Sequence, residues 1–381
     1  MATSWQRGIA ILTGIYVSRM LGLFMVFPVF SLYASELAGA NKTLVGVALG
    51  IYGLSQGLLQ LPCGWLSDRF GRKPVIAAGL LLFVAGSLLA ATATTITMMI
   101  AARAVQGMGA IAAVTLAYAT DITPSEKLSK VMAILGGSIG MAFVLSLIIG
   151  PLVAAWIGVA GLFYLIALIA GLALVASLRL PPVPIRPQTA ATGHYDKRQL
   201  MQAAAAIFFL HGVFTATFLV LPPLLVDAGI AKANHWWLYL PANLVALCFM
   251  RVKATPHPLN FGISYLLLAV GTGLLAMPFG TWWLLFALSI YFIAFYRLET
   301  GLPHWVAHIA SPDARGRAMG LYSSAQFLGS FCGGAVAGRL WHDLPPATVL
   351  LPLVAACACA ALLLLKIGKT TTLRAATHSD S

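Results

Sequence analysis

The stretch Gly64-Trp-Leu-Ser-Asp-Arg-Phe-Gly-Arg-Lys-Pro74 lies between two long apolar runs. It gathers one acid, three bases and two glycines into eleven residues. Such a knot of charge between greasy segments reads as a short loop joining two membrane helices. Its composition suits a hinge or latch better than a spacer.

The rest of the chain agrees with a membrane setting. It is 60% hydrophobic and only 9% charged, with a mean hydropathy of +0.92. Soluble domains carry about 25% charged residues. A bilayer crossing takes ~20 apolar residues, and runs of that size recur at 8–33, 44–66, 75–93, 95–120, 130–154, 158–178, 201–226, 236–252, 259–278, 282–304, 318–340 and 347–367. Hydrocarbon offers no partner to the backbone, so spans this apolar are helices; the alternating ten-residue segments of a barrel are not seen. The expected class is an all-α membrane protein of twelve helices. The first run is long and lacks an A-x-A site with a polar sequel, so it reads as a span and not as a cleaved signal.

The net charge of +13 would suit nucleic acid, but the placement of the bases argues against it. With the N-terminus in the cytoplasm, most of the 23 basic residues fall inside, including Arg7, Arg69, Arg72, Lys73, Lys127, Lys130, Arg179, Arg186, Lys197, Arg198, Arg251, Lys253, Arg315, Arg317, Lys366, Lys369 and Arg374. Only Lys42, Lys232 and Arg339 fall outside, and Arg19, Arg103 and Arg297 lie within spans. This is the positive-inside asymmetry with both termini cytoplasmic. The basic excess then reflects topology and contact with anionic lipid. The five cysteines (Cys63, Cys248, Cys332, Cys357, Cys359) lie in apolar spans without metal-ligand spacing, so packing residues are expected, with no metal and no cofactor.

One stretch divides the chain. Pro-rich sequence after Arg179 and polar sequence up to the next run predict a cytoplasmic linker at 179–200. The expected units are a six-helix bundle at 1–178, a second at 201–367 and a cytoplasmic tail at 368–381. Two pseudo-symmetric halves around a central cavity are a transporter layout. Pro124 and Pro312 each open a charged loop before a glycine-rich helix, a weak internal echo.

The opening stretch resembles the G-x-L-x-D-R-x-G-R-K loop of the major facilitator superfamily. Arg103-Ala-Val-Gln-Gly-Met-Gly109-Ala110 resembles its R-x-x-Q-G-x-G-A pattern. Leu21-Gly22 followed by Pro28 resembles the start of a proline motif of drug:proton antiporters, with Ser31 at its second proline. Gly137, Ser146 and Gly150-Pro151-x-x-Ala154-Ala155 resemble the antiporter helix-5 motif, with several glycines exchanged for other small residues. Small residues allow close packing and Gly-Pro frees a helix to bend. The resemblance spans nearly the whole chain and is nearest to YajR-like bacterial transporters, in runs such as Ser18–Pro28 and Gly320–Gly329. Two departures stand out. YajR-like proteins carry an extra soluble domain after the last helix, where about fifteen polar residues are found here. The second half's counterpart of the opening loop has shrunk to Arg251-Val-Lys-Ala-Thr-Pro-His-Pro258 beside a short eighth span, which weakens any second latch.

The resemblance implies a latch of Gly64, Asp68, Arg69, Gly71, Arg72, Lys73 and Asp121, with Asp68 near the start of helix 11, holding the halves together on the inner side. It also associates Arg103 with proton coupling. Ionisable groups inside a span are costly unless paired or hydrated, which singles out Arg19, Arg103, Arg297, Glu299 and His211. Arginine keeps its proton, so Glu299 and His211 remain as groups that can titrate within a span. Glu299 is the favoured proton site, with Arg103 or Arg19 shaping its surroundings; its rival reading is a fixed salt bridge with an arginine. His211 reads either as a second titrating group or as a histidine bonded to a neighbour. Tyr52, Gln56 and Gln60 recur on one face of helix 2, Tyr291 and Phe295 share a face with Glu299, and Tyr322 with Gln326. Such a lining suits an amphiphilic, cationic or neutral compound.

The expected function is proton-coupled export of small amphiphilic molecules by a monomer in a bacterial inner membrane. Its partners are a small-molecule substrate, protons and lipid, without nucleic acid. A metabolite symporter or uniporter of the same fold is the alternative. A non-transporting sensor would carry a signalling domain, whereas both tails here are short. A membrane enzyme would need a His, Asp or Ser cluster at one face, or a metal site, and the sequence offers none.

Overall fold

The computed structural model describes residues 4–183, 193–249, 257–277, 279–311 and 314–379, for residues 129 and 369–379 by backbone alone. The helices are α1 (Ser4–Phe24), α2 (Phe30–Ala34), α3 (Lys42–Phe70), α4 (Arg72–Ala91), α5 (Ile96–Met108), α6 (Ala112–Ile122), α7 (Ser125–Ser177), α8 (Lys197–Asp227), α9 (Trp236–Phe249), α10 (Pro258–Leu275), α11 (Thr281–Ile309), α12 (Arg315–Asp343) and α13 (Pro346–Ser379). A single 3-10 turn, Lys232–Asn234, precedes α9. Nine helices among the described residues are long and apolar enough to cross a bilayer. The longest, α7, breaks at Gly158 (φ 72°, ψ 171°), a backbone conformation natural to glycine. The break turns one helix into two crossings. The short α9 and the glycine- and serine-diluted α12 complete an arrangement consistent with twelve crossings. Most of the expected linker (184–192), the loop residues 250–256 with Arg251 and Lys253, and Pro312 lie outside the described residues, as do Arg186 and the side chains of Lys369 and Arg374.

Several boundaries differ from the sequence expectation. The opening stretch is not an eight-residue loop. α3 runs on to Phe70 and α4 starts at Arg72, so Gly71 alone (φ 92°) reverses the chain. The run 8–33 is broken at 25–29, where Pro28 lacks an amide donor and restrains its predecessor. The run 95–120 is broken at 109–111, beside Gly107 and Gly109. A Cβ at Gly107 would lie 2.3 Å from the Tyr52 carbonyl oxygen, and one at Gly109 2.4 Å from that of Gly79. α8 starts at Lys197, inside the expected linker, where Asp196 caps it by accepting from the Gln199 amide at 3.0 Å. That bond and a second from the Gln199 side chain hold the Asp196 carboxyl below its usual range. α13 continues through 368–379, where a tail was expected; no proline or glycine follows Gly368 to stop it.

The packing centre is α12. It lies between α3 and α8, and small residues bring the backbones together on both sides. A Cβ at Gly46 would lie 2.2 Å from the Gly334 carbonyl oxygen and 2.7 Å from Gly338 Cα. On the other side, a Cβ at Gly333 would lie 2.0 Å from the Gly212 carbonyl oxygen. Such approach gains dispersion energy where hydrocarbon provides no hydrophobic drive between helices. Along α3 the seam passes through Gly50, Gly53 and Gly57 and ends where Leu61 meets Gly320. Beyond that point, side chains added at Gly64 or Gly316 would enter open space. The two helices are therefore zipped at one end and parted at the end bearing Arg69, Arg72 and Arg315, called the basic end below.

Overpacking a close contact costs ~1–3 kcal/mol. Gly46→Leu should lower the melting temperature of the purified protein clearly, while Gly64→Leu, into open space, should leave it within about a degree. Differential scanning fluorimetry in detergent reads both.

Candidate functional site: three charged clusters inside the bundle

The first cluster is built on Arg72 at the basic end. Its guanidinium bonds Asp121 Oδ2 through Nε at 3.1 Å, Ser67 Oγ through Nη1 at 2.6 Å, and Asp68 through the same nitrogen. Gly71 makes the geometry possible by turning α4 back beside α3. Lys73 donates to the carbonyl of Leu178 at 2.6 Å, tying the turn to the end of α7. Arg69 lies over the rings of Trp65 and Phe70 at 5.6 and 5.7 Å. Gly64 faces open space. The bonds described for Asp68 stay within the first half of the chain, and none of them reaches helix 11.

The second cluster surrounds Tyr52 on α3. Arg19 of α1 donates through Nη2 to Tyr52 Oη at 2.8 Å and to Gln56 Oε1 at 3.0 Å. Its guanidinium also lies over Phe83 at 5.2 Å. Arg103 of α5 lies over the other side, 4.9 Å from the Tyr52 ring and 5.8 Å from Phe30. Arg103 bonds Gln106 Oε1, and Gln106 Nε2 donates to Ser87 Oγ at 2.8 Å. Arg19 is 3% exposed and Arg103 0%. Among the described residues neither makes a salt bridge. Arg19 Nε and Nη1, Arg103 Nε and Nη2, Gln56 Nε2 and Gln60 Oε1 are buried without a hydrogen-bond partner.

The third cluster joins three helices of the second half. His211 Nε2 of α8 lies 2.9 Å from Glu299 Oε2 of α11. Gln326 Nε2 of α12 lies 2.8 Å from the same histidine nitrogen and 3.2 Å from Glu299 Oε1. Glu299 is therefore not bound to an arginine: Arg297, two residues away, donates to Ser264 Oγ at 3.3 Å instead. Nor do the bonds described for Arg19 and Arg103 reach it. The His211 side chain is 8% exposed and that of Glu299 31%, so the carboxylate has access to water while the imidazole does not.

Of the residues expected to line a cavity, Tyr52 and Gln56 join Arg19, and Gln326 joins Glu299. Tyr291, Phe295 and Tyr322 are buried in packing. Phe295 stacks between Phe143 (5.8 Å) and Phe214 (4.9 Å). Phe143 and Phe214 escaped the sequence reading; their only signal was an aromatic in an apolar helix. Phe27 meets Phe214 at 5.1 Å and Phe218 at 6.0 Å, so rings from both halves form one plug. In the helix-5 motif, Ser146 Oγ donates to the Leu21 carbonyl at 3.5 Å, and a Cβ at Gly150 would lie 2.4 Å from that of Met25. Pro151 is buried and Gly137 faces open space. The motif thus seats α7 against the broken end of α1. At the end opposite the basic one, Lys232 bonds Glu36 at 3.2 Å, and Lys42 lies 5.4 Å from the Trp341 ring. His235, in the turn before α9, approaches the Ile230 carbonyl at 3.3 Å. Burial pushes its pKa down to about 4 despite that bond, with Lys232 adding to the fall, so this imidazole stays uncharged at neutral pH.

Comparison with known proteins fits this geometry. The pattern of the Major Facilitator Superfamily matches residues 12–256. The inner membrane transport protein YajR of Escherichia coli (strain K12) is 35% identical over 340 residues, covering 85% of this chain and 75% of that protein. The multidrug resistance protein MdtH of Aeromonas salmonicida (strain A449) is 25% identical over 345 residues, covering 85% of each. The structure of the human organic anion transporter MFSD10 superposes with a TM-score of 0.72 over 95% of this chain and all of that one; at 17% identity this speaks to the fold alone. Family match, apolar helices and a relative of the bacterial inner membrane converge: this chain is a multi-pass membrane transporter and belongs to the major facilitator superfamily.

Proposed function

We propose that the protein is a proton-coupled antiporter that exports small amphiphilic compounds by alternating access. The observation that carries this reading is the contact of His211, Glu299 and Gln326. At 2.9 Å, an imidazole nitrogen and a carboxylate oxygen attract only with a proton between them. The same nitrogen is 2.8 Å from the Gln326 amide nitrogen, which can only donate. A ring nitrogen presents either a lone pair or an N–H, so which of the two contacts is a hydrogen bond depends on where the protons lie. Gain or loss of one proton re-sorts the bonds among α8, α11 and α12. Since α12 also forms the seam with α3, the re-sorting acts on the helix that joins the two halves. The kinship with proteins named for multidrug resistance supports export over uptake.

With the basic end placed in the cytoplasm, the parted ends of α3 and α12 correspond to an inward-facing state. Its outer side is sealed by the aromatic plug and by Lys232 and Glu36, and Glu299 meets water from the open side. In the opposite state the Arg72 cluster would approach α12 and act as the inner latch. The two halves, 1–178 and 201–367, would then rock about the seam.

Glu299→Gln removes the titrating charge and nearly keeps the shape. In proteoliposomes with an imposed pH gradient, its substrate-linked proton movement should fall to that of protein-free vesicles. Wild-type proton flux would move the assignment to His211 or to a chain of water. For the latch, Asp68→Asn frees one bond of Arg72. An ion pair that keeps contact with water is worth ~0–1 kcal/mol, and ~1.4 kcal/mol shifts a two-state population tenfold. Transport should therefore drop by no more than about fivefold, with faster labelling of a cysteine at position 316 from the cytoplasmic side. Unchanged transport and labelling would remove the latch. Topology is tested separately: a membrane-impermeant maleimide should label Ala190→Cys in inverted vesicles and not in intact cells.

A further inference from the structure

The Tyr52 cluster combines two features that call for a ligand. It buries two permanent cations, and it leaves their donors unused. A buried charge without a counter-charge costs several kcal/mol, and arginine cannot escape by losing its proton. Every carboxylate described in an ion pair is held elsewhere: Asp68 and Asp121 by Arg72, Glu299 by His211, Glu36 by Lys232, Asp343 by Arg339. Arg103 is partly relieved by the Tyr52 and Phe30 rings and by Gln106. Arg19 is relieved by the Phe83 ring. It spends one nitrogen, Nη2, on two neutral acceptors.

The spare donors lie close together. Arg19 Nε and Nη1 are unpartnered and buried, and so is Gln56 Nε2. The Gln56 oxygen is already fixed on Arg19, so its amide nitrogen flanks the same guanidinium. Tyr52 Oη, having accepted from Arg19, still has its own proton to give. Nε and Nη1 lie on different edges of the guanidinium, and the Nη2 that would complete a fork with either is taken by Tyr52 and Gln56, so each spare nitrogen offers its own N–H to an oxygen of a carboxylate, sulfonate or phosphate. One helical turn beyond Gln56, the unpartnered Gln60 Oε1 offers an acceptor, suited to a hydroxyl or amine on the same molecule. The surroundings are apolar and aromatic, with Phe83 against the guanidinium.

We propose that Arg19, Tyr52 and Gln56 bind the anionic head of the transported compound, so that the substrate class is amphiphilic organic acids and not the cations or neutral compounds that the helix faces alone suggested. The proposal rests on the reading of the protein as an exporter of amphiphiles, but its binding step needs no proton gradient. It also adds a consequence for energetics. Exchange of one inward proton for one outward monoanion moves two positive charges inward, so the membrane potential drives it.

The test is equilibrium binding to the full-length protein in a non-ionic detergent, followed by tryptophan fluorescence, with benzoate, benzenesulfonate, benzylamine and benzyl alcohol as probes. Benzoate and benzenesulfonate should bind at least tenfold more tightly than benzylamine or benzyl alcohol. Arg19→Gln should weaken benzoate at least tenfold, and Arg19→Lys, which keeps the charge but loses the separate N–H edges of the guanidinium, should recover part of the loss. The charge preference of the unaltered protein is informative even if a variant fails to fold. Equal or tighter binding of benzylamine overturns the proposal, as does unchanged benzoate binding by folded Arg19→Gln. A lipid phosphate is the other source of the same chemistry. Binding of phosphatidylglycerol without any binding of benzoate or benzenesulfonate assigns the site to lipid and overturns the substrate reading. Because no gradient is present, a negative result here leaves Glu299 coupling standing, and loss of coupling in Glu299→Gln leaves anion binding standing.

Discussion

Hydrocarbon does not solvate charge, and the interior of this protein is organised by that single constraint. Each ionisable group inside a span must find a partner, water or a ligand. Glu299 finds a histidine and an amide and keeps an edge in water. Arg103 finds two aromatic faces and a glutamine that is itself fixed by Ser87. Arg19 finds a tyrosine, a glutamine and one ring, and both arginines keep donors without a partner. Such solutions allow different duties. A bonded group holds helices together, a group whose bonds change with its protonation can move them, and a group with donors to spare can receive something from outside.

α12 links these duties. Its glycines touch α3 on one side and α8 on the other, while Gln326 reaches Glu299 and His211. The next residue, Phe327, presents its carbonyl to Gly53 of α3, where a Cβ would lie 2.5 Å away. Under the proposed coupling, a proton that changes what Gln326 bonds would act one residue from the seam. No relay across the molecule would then be needed, because the proposed sensor and the seam are neighbours on one helix.

Much of this was legible in the chain. The charged stretch around Asp68, the basic asymmetry and the spacing of apolar runs all follow from local composition, and local composition is what a bilayer reads. The Arg72 cluster was legible through the resemblance of the opening stretch, which implied that Asp68, Arg72 and Asp121 belong to one set. What escaped was pairing across distance. Glu299 and His211 are 88 residues apart, and no periodicity in α8 or α11 says that they face each other. The aromatic residues misled for the opposite reason. Tyr291, Phe295 and Tyr322 share helical faces with polar groups, but a ring satisfies packing and binding equally well on a helical wheel. The one-residue turn at Gly71 was missed because a run of charged residues reads as loop, whereas here they lie at the ends of two helices that meet at a single glycine.

The seam between α3 and α12 has a consequence for biogenesis. Its two sides come from opposite ends of the chain, so during synthesis α3 enters the bilayer long before α12 exists. At about 5–20 residues per second, the delay is on the order of ten seconds or more. For that interval the row Gly46, Gly50, Gly53, Gly57 is a bare backbone groove open to lipid or to any passing helix with small side chains. The feature that makes the finished joint tight thus makes the nascent protein promiscuous, and its correct assembly depends on keeping that groove unoccupied until its own partner arrives.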